Sequence, residues 1–242
     1  MIGIRSAICQ ILFYGWMAAL AVLYLPLLLA PRRWMVGAAR FWVRGELLIL
    51  RLAVGLTYEV RGRQNIPSGP AVVAAKHQSM WDTMIFHALL DDPVYILKKE
   101  LTAIPFFGWY LRKTGMIAVD RKAGAKALRH MVEDSRRAVA EARQVVIFPE
   151  GTRTAPGSTR PYQPGVAMLY DIGAPLVPVA LNSGLYWRRR SFLRKPGRIV
   201  IEFLPAIPAG LDRRTFLARL SDEIETATTR LIAETGDRSA AS

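Results

Sequence analysis

Residues 71–82 read AVVAAKHQSMWD: five small apolar side chains, then Lys76, His77, Gln78 and Ser79 in a row, then Asp82. A short apolar run that breaks into polar residues is the pattern of a buried strand delivering side chains to the rim of a sheet, where open α/β proteins place their chemistry. His77 then sits at that rim. On an ideal helix, residues five apart point about 140° away from each other, so His77 and Asp82 meet only when His77 belongs to the turn before the helix. In that arrangement the carboxylate holds the imidazole in one tautomer through one ring nitrogen and leaves the other free as a general base. The spacing H-x4-D is common by chance, and a surface His near an Asp is its plain alternative, so the pair needs support from the rest of the chain.

The length of 242 residues suits one globular domain plus an attachment. Lys and Arg number 33 against 19 Asp and Glu, a net charge of +14 that calls for an anionic partner. Nucleic acid and an anionic membrane surface both fit that charge. A hydrophobic fraction of 52% and a positive mean hydropathy favour the bilayer over nucleic acid. Cys9 is the single cysteine, which excludes an internal disulfide and a cysteine-rich metal site. Inside an apolar run, it reads as packing and not as a thiolate nucleophile.

Residues 7–30, AICQILFYGWMAALAVLYLPLLLA, carry Gln10 as their only strongly polar side chain. As a helix they reach about 36 Å, enough to cross the hydrocarbon core of a bilayer. A signal peptide is the alternative. A lone Arg5 at the start, and Pro31-Arg32-Arg33-Trp34 where a small-residue cleavage site would stand, favour a retained helix. Pro26 marks a kink or an exit point. In residues 32–54, Arg40, Arg44 and Arg51 fall within about 40° of one another on a helix. Such a basic stripe on a greasy helix predicts an interfacial helix, with Trp34, Phe41 and Trp42 at the polar boundary; a core helix with one solvated edge is the alternative. Arg32 and Arg33 put this side in the cytoplasm. A spanning helix followed by an interfacial one, and a hairpin dipping into one leaflet, both satisfy the pattern.

Past Gly55 the pattern changes to short β-like runs and amphipathic helices. Residues 1–55 therefore read as a hydrophobic two-helix membrane-attachment segment and residues 56–235 as an α/β domain, a central mostly parallel sheet flanked by helices. Residues 236–242 read as a polar, disordered tail. Strands are expected at 57–61, 71–75, 94–97, 115–121, 144–148, 175–181 and 198–204, and helices at 81–90, 125–143, 165–172 and 211–232. Residues 101–111, LTAIPFFGWYL, are unusually aromatic and read either as core or as a lipid-facing wall. Arg188, Arg189, Arg190, Arg194 and Lys195 form a basic loop, more readily a solvated or headgroup-facing patch than a site.

Three strand ends deliver charge: His77 with Asp82, Asp120 with Arg121, and Glu150 with Arg153. In a mostly parallel sheet these converge on one edge, where ligands of open α/β sheets bind. Arg153 presents a planar fork suited to a phosphate, and a turn at Gly151 lets backbone come close to it. Taken singly, these residues, with Lys98 and Lys99, read as solvated surface charge. No G-x-S-x-G elbow supports Ser79 as a nucleophile, and His77, His87 and His130 are too scattered for zinc.

Four blocks in order, KHQSMWD at 76–82, GMIAVDR at 115–121, FPEGTRT at 148–154 and VPVA at 177–180, change that balance. With them, residues 58–204 resemble the glycerophospholipid acyltransferase family, the 1-acyl-sn-glycerol-3-phosphate acyltransferases. Lys76 stands where that family frequently has Asn, and Thr154 where it frequently has Ser. The resemblance implies acyl transfer from a thioester, acyl-CoA or acyl carrier protein, to the free hydroxyl of a lysophospholipid, lysophosphatidic acid becoming phosphatidic acid in phospholipid biosynthesis. It implies His77 as general base, oriented by Asp82. Glu150, Gly151 and Arg153, with Arg121, are implied to hold the acceptor phosphate, and Lys98 that phosphate or the donor. No metal and no cofactor beyond the thioester co-substrate are expected. The expected setting is the cytoplasmic side of the cell inner membrane, against anionic headgroups. The same chemistry on glycerol 3-phosphate or a lyso-ornithine lipid is the rival within this reading. A non-enzymatic, basic, membrane-anchored binding protein is the rival outside it.

Overall fold

The computed structural model describes residues 1–240, without the side chains of Arg121 and of residues 237–240. The chain runs α1 (Ile2–Leu23), a 3-10 turn, α2 (Arg32–Val54), β1 (Leu56–Arg61), β2 (Ala71–Ala75), α3 (Asp82–Leu89), β3 (Pro93–Lys98), α4 (Phe107–Lys113) and β4 (Ile117–Val119). It continues through α5 (Gly124–Ala140), β5 (Gln144–Ile147), α6 (Gly165–Tyr170), β6 (Leu176–Leu181), β7 (Gly197–Phe203) and α7 (Arg213–Ala240).

The seven strands make one sheet in the order β1-β7-β6-β2-β5-β3-β4. Among the described residues only β6 and β7 pair antiparallel; the other five pairings are parallel, as expected of a mostly parallel α/β sheet. β2 is buried along its whole length because helices cover both faces, which is why AVVAA shows no polar alternation. The strand period of two still sorts its side chains. Val73 and Ala75 face a core shared with Trp81, Phe86, Leu50 and Phe203, while Val72 and Ala74 face one shared with Met131, Val166, Phe216 and Leu220. From β2 the chain crosses to β3 and β4, returns through β5 beside β2, and then places β6 on β2's other side. β2 is therefore the switch point of the sheet, and the carboxyl ends of β2, β5 and β6 open together.

α1 and α2 pack as an antiparallel hairpin. Arg5 Nε donates to the Ala53 carbonyl at 2.9 Å, Trp16 Nε1 to the Trp42 carbonyl at 3.1 Å and the Tyr24 hydroxyl to the Ala38 carbonyl at 3.1 Å. Gly45 makes room for the indole, since a Cβ there would stand 2.4 Å from Trp16 Nε1. α1 has 22 residues with mean hydropathy 1.8, long and apolar enough to cross a bilayer by length and composition. Both of its ends are nevertheless held by the α/β domain: Ser6 Oγ accepts the Arg194 amide at 3.0 Å, and the Tyr110 hydroxyl donates to the Ala21 carbonyl. Pro26 lies in the 3-10 turn where α1 has ended and the chain reverses into α2.

Two expectations change, and one choice between readings is decided. Arg40 leaves the predicted basic stripe: its guanidinium donates to the carbonyls of Leu90 and Asp91, just past the end of α3, at 3.2 and 3.0 Å. Arg44 and Arg51 stay exposed. The aromatic segment is not core, since Ile104, Phe106, Phe107 and Trp109 are exposed. α7 runs on past residue 232, so residues 236–240, expected in the polar tail, continue the helix, and residues 241 and 242 lie outside the described residues.

Candidate active site

β2 ends as the Lys76 amide donates to the Val179 carbonyl at 2.9 Å, and residues 77–81 turn into α3. That turn closes on the carboxylate of Asp82, the first residue of α3 and fully buried. Asp82 Oδ2 accepts the amides of Gln78 at 2.6 Å and Ser79 at 2.8 Å and lies 3.1 Å from His77 Nδ1. Its other oxygen accepts the hydroxyl of Ser183, just past β6, at 2.6 Å. Four donors and a helix N-terminus satisfy a buried carboxylate that would otherwise be very costly. A carboxylate facing Nδ1 demands a proton there, so neutral His77 carries its lone pair on Nε2. The imidazole stacks on Phe148 with ring centroids 4.1 Å apart, which fixes its plane, and Nε2 has no hydrogen-bond partner among the described residues.

Glu150 is not turned toward an acceptor. Its carboxylate is buried and receives the Lys76 ammonium at 2.8 Å, the Thr154 hydroxyl at 2.9 Å and the His77 amide at 3.3 Å. Burial pushes the Glu150 carboxyl up, and the Lys76, Thr154 and His77 donors pull it back. So held, the Glu150 carboxylate braces the back of the His77 turn; the phosphate-holding role implied by the resemblance has no direct contact from this side chain to draw on. Gly151 has φ of 66°, a left-handed turn that glycine accepts freely, and its amide donates to the Phe148 carbonyl at 2.9 Å.

Arg153 is half-buried, and its guanidinium has no hydrogen-bond or ion-pair partner among the described residues. Burial disfavours its charge, the nearby Asp82 carboxylate favours it, and Arg189 disfavours it. Arg189, read from the sequence as part of a solvated patch, reaches the Arg153 carbonyl at 3.5 Å. Two neighbouring cations, one of them half-buried and without a bonded carboxylate among the described residues, suit an anion. Lys98, at the end of β3, is exposed. Arg121 opens a 3-10 turn after β4, and its side chain lies outside the described residues. At the usual strand spacing these two strands lie about 10 and 14 Å from β2, so the backbones of Lys98 and Arg121 stand farther along the same sheet edge than that of His77. Among the described residues no group of three or more His, Cys, Asp or Glu is placed to hold a metal ion.

Sequence reasoning missed Ser183, Phe148 and the part played by Lys76. Ser183 had one usable signal, its position two residues past the apolar strand that pairs with β2.

Fold and site together define an α/β enzyme with a carboxylate-held histidine at the carboxyl edge of its sheet. The model of the Acyltransferase family matches residues 57–182. Over 236 residues, 95% of this chain and 92% of the relative, the sequence is 33% identical to the 1-acyl-sn-glycerol-3-phosphate acyltransferase of Pseudomonas aeruginosa. It is 32% identical over 201 residues, 81% of this chain and 70% of the relative, to the 1-acyl-sn-glycerol-3-phosphate acyltransferase alpha of Mus musculus. In fold it matches the crystal structure of the 1-acyl-sn-glycerophosphate (LPA) acyltransferase PlsC from Thermotoga maritima, with a TM-score of 0.80 at 20% identity, over 96% of this chain and 98% of that one. The chain belongs to the acyltransferase family.

The Asp82 environment makes a stability prediction. Ser183→Ala removes one donor from a buried carboxylate, and the expected loss is about 1.5–3 kcal/mol in urea unfolding. An unchanged midpoint would mean that the Ser183 bond contributes nothing to holding Asp82.

Proposed function

We propose that the protein transfers a fatty acyl group from an acyl thioester to the free hydroxyl of lysophosphatidic acid, giving phosphatidic acid in phospholipid biosynthesis. The observation that carries this reading is His77 itself, tied at Nδ1 to buried Asp82 and without a partner at Nε2 among the described residues, with the same Asp82 carboxylate near the Arg153 guanidinium. The acceptor hydroxyl gives its proton to Nε2 as its oxygen attacks the thioester carbonyl carbon. The new C–O bond forms, the C–S bond breaks, and the departing thiolate takes the proton back from the imidazolium. Asp82 stabilises that imidazolium without accepting its proton. Arg153, with Arg189 nearby, holds the acceptor phosphate; Lys98 and Arg121, farther along the edge, suit the phosphates of the donor, acyl-CoA or acyl carrier protein. A general base contributes about 10²–10⁴ in rate, and positioning supplies much of the remainder, so no acyl-enzyme is required.

Acceptor and product are lipids, and the hairpin is suited to meet them. Ile8 and Ile11 of α1, Phe41, Leu48 and Leu52 of α2, and Phe107 and Trp109 of α4 are exposed apolar side chains on packed neighbouring helices. In the proposed setting they seat in one leaflet of the cell inner membrane, on its cytoplasmic side, with Arg44 and Arg51 among anionic headgroups. The net charge of +14 supports the same orientation.

Purified protein in detergent, given labelled acyl-CoA or acyl carrier protein and lysophosphatidic acid, is expected to make labelled phosphatidic acid, and His77→Ala to lower the rate by about 10²–10⁴. Folded wild type that makes none with either donor, yet acylates glycerol 3-phosphate or lyso-ornithine lipid, would sink the acceptor assignment. On vesicles, replacing both Arg44 and Arg51 by Glu is expected to weaken binding to anionic lipid by about tenfold or more, since each basic residue near the surface contributes about 1 kcal/mol. Equal binding by variant and wild type would remove these arginines from the docking surface.

A further inference from the structure

Behind the His77 turn lies a second group of charges that the transfer itself does not use. The Lys76 side chain is 1% exposed. Its ammonium is 2.8 Å from Glu150 Oε1 and 2.8 Å from each carboxylate oxygen of Glu225, with the Ser158 carbonyl at 3.3 Å. Glu225 belongs to α7, and it also accepts the hydroxyl of Tyr162 at 3.0 Å. One carboxylate would neutralise a buried ammonium; here there are two, and the second comes from a helix 149 positions along the chain.

The far side of this cluster grips the backbone of His77 from both directions. Glu150 Oε2 accepts the His77 amide, while the Thr154 amide donates to the His77 carbonyl at 2.8 Å. The Thr154 hydroxyl in turn contacts both Glu150 oxygens, at 2.9 and 3.1 Å. A continuous path of charge-assisted hydrogen bonds therefore runs from Glu225 through Lys76 and Glu150 to the peptide of His77, separate from the Asp82 contact that fixes the ring. Without Lys76, Glu150 would be a lone buried carboxylate, and protonating it would weaken its acceptance of the His77 amide.

We propose that Lys76 and Glu225 are positioning residues for the acyl transfer: acting through Glu150, they hold the His77 backbone so that Nε2 keeps its aim, and they make α7 a required part of the site. The inference rests on the reading of His77 as the base. It adds a role for the last helix, whose buried Phe216, Leu220 and Ile224 otherwise explain it as packing alone.

The test compares full-length wild type with Glu225→Gln, Lys76→Met and the double variant, measuring kcat, KM for each substrate and unfolding temperature. Glu225→Gln is expected to lower kcat by about tenfold or more while both KM values stay within about threefold. In the Lys76→Met background the same change is expected to cost less than about twofold, because its path to His77 is already cut. A Glu225→Gln enzyme with wild-type kcat and a lowered unfolding temperature would make Glu225 a structural anchor only and overturn the proposal, as would an equal kcat loss in both backgrounds. Should Lys76→Met not fold, the His77 amide proton resonance in Glu225→Gln decides: an upfield shift, marking a slackened Glu150 bond, supports the proposal, and an unmoved resonance overturns it. That resonance needs no substrate, so it tests the network even if the acceptor assignment fails.

Discussion

A carboxylate buried beside a histidine has to be satisfied, and at Asp82 the means of satisfying it assemble the site. Its two oxygens gather the amides of Gln78 and Ser79, the ring of His77 and the hydroxyl of Ser183. Those donors come from the turn after β2 and from the end of β6. Parallel pairing of β2 with β6 brings these ends to one edge. The free nitrogen of the imidazole is thereby set by a requirement at the other nitrogen, and the proposed chemistry follows from which one is left free. The sheet order matters to the same end. Had β5 not returned beside β2, neither Phe148 against the ring nor Glu150 behind the peptide would be in reach.

The two faces of the sheet serve different partners. One face packs α2 and α3, and through α2 the hairpin; the other packs α5, α6 and α7. The hairpin is fastened to the domain by Arg32 to Asp92, at 2.8 and 2.6 Å, by Arg40 to the end of α3, and by Ser6 to the Arg194 strand connection. An apolar attachment bound this firmly carries its outer face as a fixed part of the molecule, at a set height relative to His77. In the proposed function that fixed height is what lets a lipid acceptor present its hydroxyl at the sheet edge while its chain stays in the leaflet.

Much of this was legible in the residues. The apolar run of β2, the helix opening at Asp82 and the turn at Gly151 are local patterns, and local patterns are what period and turn chemistry report. His77 with Asp82 was readable because both partners lie within one turn of chain. The surroundings of Glu150 were hidden for the opposite reason: its position at a strand end was readable, but whether a side chain there turns to solvent or inward depends on a lysine 74 positions away. Lys76 itself carried a signal, since a lysine after five buried residues must either escape to solvent or meet a carboxylate. Its second partner was hidden in a helix that reads as packing. Arg40 shows the same limit: its angle on the helix was right, but the carbonyls of Leu90 and Asp91 that draw it inward are 50 and 51 positions distant.

The most direct measurement is the tautomer of neutral His77, read from its ring nitrogen-15 shifts in protein labelled at histidine. With Asp82 accepting at Nδ1, the proton is expected on Nδ1, leaving Nε2 unprotonated and ready to take the proton of an acceptor hydroxyl. A neutral ring protonated at Nε2 would contradict it, because the nitrogen that faces the substrate would then have no lone pair to offer.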